Sequence, residues 1–176
     1  MPVRAEYARP DRSECASFHL GYVREVPEGD ILQTLERQLH ATTALLEGLT
    51  PAQAEHAYAP GKWTVKDVLS HVIDAERIFS YRALRIARGD ATPLPGFDEK
   101  TYVPLAGARD RSLVDLLAEF HAVRRATLAL FDHLPADAAT RRGTAAGAEV
   151  SVRALAWVIT GHELHHQRIL RERYLA

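Results

Sequence analysis

The chain has 176 residues, the length of one ordinary domain, and can bury a core without needing a disulfide or a structural metal to fold. Lys and Arg number 22 against 23 Asp and Glu, a formal net charge of -1 with a pI near 6.8, which argues against a dedicated nucleic-acid binder with a basic stripe. One cysteine, Cys15, excludes an intramolecular disulfide and a Cys-based zinc site, whereas nine histidines leave imidazole as the donor for any transition metal.

Residues 1–29 read as a proline-punctuated arm. Their first fifteen residues lack the apolar run of a signal peptide. No window reaches the roughly 18 apolar residues of a membrane helix, so a cytoplasmic protein is the expectation. Residues 30–176 read as a single domain. Asp30 is placed to cap the first helix, with Gln33 completing a capping-box pattern and Leu32, Leu35, Leu39, Leu46 and Leu49 at helical spacing. Thr50-Pro51 ends it and starts a short helical turn with Gln53 at the reciprocal position. After the Pro60-Gly61 turn, Thr64 caps a second helix over 65–88, with an apolar stripe of Val65, Val68, Val72, Ala75, Phe79, Ala83 and Ile86; Gly89 stands at its C-cap.

Residues 90–111 hold three prolines and no long periodic run. A connection of about 20 residues in a compact domain is often functional. Ser112 caps a third helix carrying Leu113, Leu116, Leu117, Phe120, Val123, Leu128 and Phe131, and Pro135 follows its end. Residues 136–150, with Gly143 and Gly147, read as another connection, and Ser151 caps a fourth helix that runs nearly to the end. No segment reads as a strand. The expected fold is all-α: a four-helix bundle with a long crossover between its second and third helices.

The fourth helix, VRALAWVITGHELHHQRILRERYL, contains the chemistry. With His162 set at zero, His166 lies about 40° away one turn on, and Leu155, Ile159 and Ile169 fall within about 60° of the same direction. Two imidazoles therefore replace apolar residues on the core-facing stripe. Each buried imidazole needs a polar partner, and a shared metal ion satisfies both at i, i+4 spacing. The string HELHH also matches the H-E-x-x-H pattern of zinc proteases. That reading is rejected, because only ten residues follow His166 to supply a third ligand and no edge strand is expected to hold a peptide. Glu163 then reads as a helix-surface carboxylate, with a ligand-orienting or general-base role at the rim as the alternative. A third ligand must come from upstream. His71 lies about 60° from Val68 on the flank of the second helix's stripe and is the inward candidate. His19, His40, His56, His121 and His133 read as solvated or capping residues. Three histidines with an open fourth position are the pattern of a catalytic rather than a closed structural metal.

These segments resemble the DinB/YfiT-like superfamily of metal-binding four-helix bundles. The matching pieces are VPEGDILQTLERQL, APGKWTVKDVLSHVIDAERIFSYRALRIARGD, PLPGFDEKTYV and SVRALAWVITGHELHHQRILRERYL. The resemblance implies a divalent metal ion held by one histidine of the second helix and an H-x3-H pair of the last, here His71, His162 and His166. Zinc or nickel suits such donors, and iron is a further candidate. It also implies a homodimer. Relatives of this kind include transferases using a low-molecular-weight thiol such as bacillithiol or mycothiol, isomerases using mycothiol, and proteins described as metal hydrolases or left without an assigned activity. The leading expectation is a metal-dependent enzyme on small molecules, a low-molecular-weight-thiol S-transferase of detoxification or stress response acting on an electrophile. The alternatives are a hydrolase using a metal-bound hydroxide and a non-catalytic metal-binding stress protein. Asp74 and Glu163 are the candidates to orient ligand rings. The 90–111 segment, with Phe97, Asp98 and Tyr102, is the candidate cover of the substrate pocket. Cys15 is not expected to be a nucleophile, so a reacting thiol would arrive with the substrate.

Overall fold

A computed structural model describes residues 5–176. Its four long helices are α2 (Ile31–Leu46), α4 (Val65–Ala87), α6 (Leu113–Asp132) and α7 (Val152–Ile169). Shorter helices are α1 (Leu20–Glu25), α3 (Pro51–Ala54) and α5 (Glu99–Leu105). A π-helical turn, Leu170–Tyr174, extends α7. No described helix is long and apolar enough to cross a membrane.

The expected caps form. The Asp30 carboxylate accepts from the N–H groups of Leu32 and Gln33 at 2.9 and 3.2 Å, capping α2 without a reciprocal bond from the Gln33 side chain. Thr50 with Gln53 and Thr64 with Asp67 make full capping boxes, and the Ser112 and Ser151 hydroxyls accept from Asp115 and Ala154. Gly89 takes φ +78° just beyond α4, the left-handed conformation that a β-carbon disfavours.

α4 packs against both α6 and α7, and α2 against the same two, which closes the bundle. The core lies in two apolar halves. One gathers Leu35, Phe79, Phe131, Leu155 and Trp157; the other gathers Leu46, Leu69, Ile73, Leu116 and Phe120. Each long helix has buried polar residues where one half gives way to the other, among them Gln38 on α2, Glu76 on α4, Arg124 on α6, and Thr160, His162, Glu163 and Gln167 on α7. The functional candidates belong to this polar layer.

Three expectations are corrected. Residues 142–151 form an antiparallel hairpin, β1 (Arg142–Ala145) and β2 (Ala148–Ser151), paired Arg142 with Ser151 through Ala145 with Ala148. Its turn puts Ala146 and Gly147 at φ +52° and +78°, so alanine occupies a position where glycine or asparagine is the usual signal. Strands of four residues are too short to show a period. The 90–111 connection contains α5, whose interior Pro104 hides it, and Leu94 bridges to Ala145 beside the hairpin. The arm contains α1, which packs on α7. A β-carbon on Gly161 would sit 2.1 Å from the Tyr22 carbonyl oxygen, so glycine is required for this approach. Gly161→Ala is expected to force α1 off α7 and to cost about 1–3 kcal/mol, the range of overpacked cores. A thermal melt checks this; an unchanged midpoint contradicts the contact.

Candidate metal centre

α4 presents His71, and α7 presents His162 and His166, into one cluster. One nitrogen from each ring lies within 4.8 Å of the others, and the Nε2 atoms of His71 and His162 are 2.9 Å apart. Two nitrogens on one tetrahedral ion at about 2.0–2.1 Å each stand about 3.3 Å apart, so the cluster is near ligand spacing. The rings meet edge to face, with centroids 4.6–4.9 Å apart. Exposure is 7, 5 and 9% for His71, His162 and His166.

The electrostatics favour neutral imidazoles. Burial pushes His71 down to about 4 and His166 down to about 3, the neighbouring histidines adding to the effect at His166, and burial drives His162 well below its ordinary value. Neutral imidazole is the ligand form. Facing Nε2 atoms can share one proton at most, and the buried Nδ1 of His166 has no hydrogen-bond partner. A shared cation fits this donor set better than hydrogen bonding does. A stability prediction follows. These depressed imidazoles stay neutral when folded but take protons near 6.5 when unfolded, so the unfolded chain binds more protons between pH 6.5 and about 3–4. Stability of the metal-free protein is expected to be full above pH 6.5 and to fall progressively through that window. Urea unfolding at pH 7.5, 6 and 5 reads it; a flat profile contradicts the burial of these rings.

Aromatic rings enclose the cluster. Trp63 lies 5.0 Å from His71, while Tyr22 and Phe79 lie 5.3 and 6.1 Å from His162. His166 also lines an open cleft of about 1490 Å³, with Tyr58, Trp63 and Tyr174 along one side and Lys100, Val103 and Pro104 of the crossover along another. The crossover therefore walls this cleft. Phe97 and Tyr102 pack on one another at 5.6 Å, and Asp98 caps α5.

Glu163 is not a surface carboxylate. It is 1% exposed and forms an ion pair with Arg124, and Thr42 donates to its Oε1 at 2.5 Å. Arg124, fully buried, also binds both oxygens of Glu76 at 2.8 Å and donates to the Leu35 carbonyl at 2.7 Å. Burial alone would lower the Arg124 pKa, but Glu163 and Glu76 more than offset it and the guanidinium stays charged. This network ties α2, α4, α6 and α7 together through Glu163, the residue next to His162. No hydrogen bond from Glu163 to any of the three histidine rings is found among the described residues, and Asp74 faces Arg77 at 3.9 Å instead. Of the other histidines, His40, His56 and His133 are exposed and His121 bonds the Thr43 hydroxyl at 2.7 Å. His19 departs from expectation: it is buried, because α1 and the turn before it fold onto the bundle. The sequence reading missed Arg124, Glu76, Trp63 and Tyr22. Arg124 could have been found, since it follows Phe120 by one turn on the inward stripe of α6.

The family model of the DinB superfamily matches residues 34–170, most of the chain and all three histidines. The chain belongs to the DinB superfamily. Its fold resembles a solved structure of YfiT from Bacillus subtilis, described as a probable metal-dependent hydrolase with an unusual four-helix bundle topology. The similarity has a TM-score of 0.72 at 17% identity and covers 94% of this chain and 91% of that one. No curated protein matches this DinB-superfamily chain by sequence.

Proposed function

We propose that this protein is a divalent-metal-dependent enzyme acting on small molecules, and that it transfers a low-molecular-weight thiol to an electrophile. His71, His162 and His166 would hold the ion. A bound ion of zinc or nickel type supplies Lewis acidity that keeps a coordinated thiol as thiolate, the nucleophilic form. The observation that carries the thiol reading is the state of Glu163. In the H-E-x-x-H pattern that glutamate is the base that activates water. Here it is spent on Arg124 and Thr42 inside the core. A thiol, more acidic than water, reacts without such a base. The rest falls to this chain's own residues. Tyr22, Trp63 and Phe79 exclude water around the rings, and the cleft beside His166 exceeds the roughly 300–1,000 Å³ of most small-molecule sites, leaving room for two reactants.

With 1-chloro-2,4-dinitrobenzene as electrophile, the thiolate sulfur bonds the ring carbon, chloride leaves with the electron pair of the broken C–Cl bond, and the thiol proton passes to water. Zinc-loaded protein with bacillithiol, mycothiol or glutathione is expected to consume it at least tenfold faster than metal-free protein. No acceleration with any thiol contradicts the reading. The second reading is hydrolysis, favoured by the description of the YfiT structure; turnover of ester or amide substrates without added thiol would select it.

A further inference from the structure

Arg82 is a buried cation without an anion. It lies on α4, 3% exposed, and its hydrogen bond runs from Nη2 to the Pro95 carbonyl at 2.8 Å. Its guanidinium carbon lies 5.7 and 5.8 Å from the ring centres of Phe79 and Phe97. No carboxylate pairs with it among the described residues, although the other buried arginine, Arg124, takes two. A guanidinium offers five N–H donors, and the Pro95 carbonyl takes only one of them, so this cation keeps donors free for an anionic ligand.

An unsatisfied buried group lies within its field. His19 is 9% exposed, and its buried Nδ1 has no hydrogen-bond partner among the described residues. Its ring stands edge-on to Phe79 at 5.6 Å. Burial first, then the positive field of Arg82, lowers His19 to about 4, so it is a neutral N–H donor near pH 7. Phe79 is the common wall, since the same ring lies 6.1 Å from His162. A guanidinium with no carboxylate among the described residues and an imidazole with an unpartnered Nδ1 thus stand one aromatic ring from the three-histidine cluster. The Pro95 and Phe97 contacts come from the crossover segment that also walls the cleft.

We infer that Arg82 and His19 form a carboxylate-binding subsite, so that the small molecule held at the three-histidine centre carries a carboxylate. The charge-assisted bond comes from Arg82, and His19 adds a neutral donor. This substrate class rests on the metal-site reading proposed above, but the two can fail separately. Cobalt-substituted protein is titrated with ω-mercapto carboxylic acids of three to six carbons and with their primary amides, and sulfur-to-cobalt charge transfer reports the thiol at the metal. In a second arm, metal-free protein is titrated with butyrate and butyramide while the Arg82 Nε–Hε NMR signal is followed. The acid is expected to bind at least tenfold more tightly than the amide at one or more chain lengths, and butyrate alone to move the Arg82 signal. Arg82→Gln should abolish the preference and leave amide affinity unchanged; if that variant does not fold, the butyrate arm on wild-type protein decides. Absence of charge transfer with every thiol, with butyrate still selective, refutes the thiol reading and supports the subsite. Equal affinity of acid and amide at every length, with the Arg82 signal unmoved by butyrate, overturns the subsite.

Discussion

Arg124→Met is expected to lower stability by about 3–5 kcal/mol, the cost of leaving buried charges without their partner. At about 2–4 °C per kcal/mol for a chain of this size, the melting temperature should fall by on the order of 10 °C. The reason is geometric. Glu76 and Glu163 are 2 and 1% exposed, and Arg124 is the cation both of them contact. Methionine matches the volume but leaves two carboxylates facing each other. One must take a proton or draw in water, and the Leu35 carbonyl also loses its donor. Glu163→Gln separates this role from catalysis. It should destabilise in the same direction but less, because the amide oxygen can still accept from Arg124 while its NH2 group donates to the Thr42 hydroxyl. Activity per folded, metal-loaded molecule should be largely kept. A loss of turnover above tenfold with unchanged stability would restore Glu163 as the catalytic base and contradict the ion-pair account.

His162→Ala is expected to remove metal binding rather than weaken it slightly. His162 is the most buried of the three rings, and its Nε2 faces that of His71. Its loss leaves His71 and His166 as two donors on different helices, too few for the three-histidine site. Any ligand that binds only the folded state stabilises by RT ln(1 + [L]/Kd), about 2.7 kcal/mol at a hundredfold excess over Kd. Wild-type protein should therefore melt several degrees higher with zinc at that excess than with chelator. His162→Ala should melt at one temperature in both. A zinc-dependent shift that survives in the variant contradicts the assignment.

Much of this was legible in the sequence, and the gaps have physical causes. The four long helices announce themselves because each carries a cap and a long apolar stripe, and phase on the last helix is enough to turn His162 and His166 inward. His71 sits on the edge of its stripe, so spacing gave a candidate and the packing of α4 on α7 made it a neighbour. Glu163 was misjudged because phase describes only its own helix. About 100° from His162 looks like a flank until α2 and α6 cover it and Arg124 arrives from the far side. The hairpin and α5 escaped because four-residue strands and a proline-interrupted seven-residue helix leave no period to read. Tyr22 reaches the site through Gly161, where a missing side chain on one element makes room for the backbone of another.

The most direct test of the central claim is metal content. Chelated protein is reconstituted with zinc, desalted and assayed by elemental analysis, alongside His71→Ala, His162→Ala and His166→Ala. One equivalent per wild-type chain, and well under a tenth of that in each variant, is the expected result. Substoichiometric metal in the wild type, or equal metal in wild type and variants, would contradict a three-histidine centre.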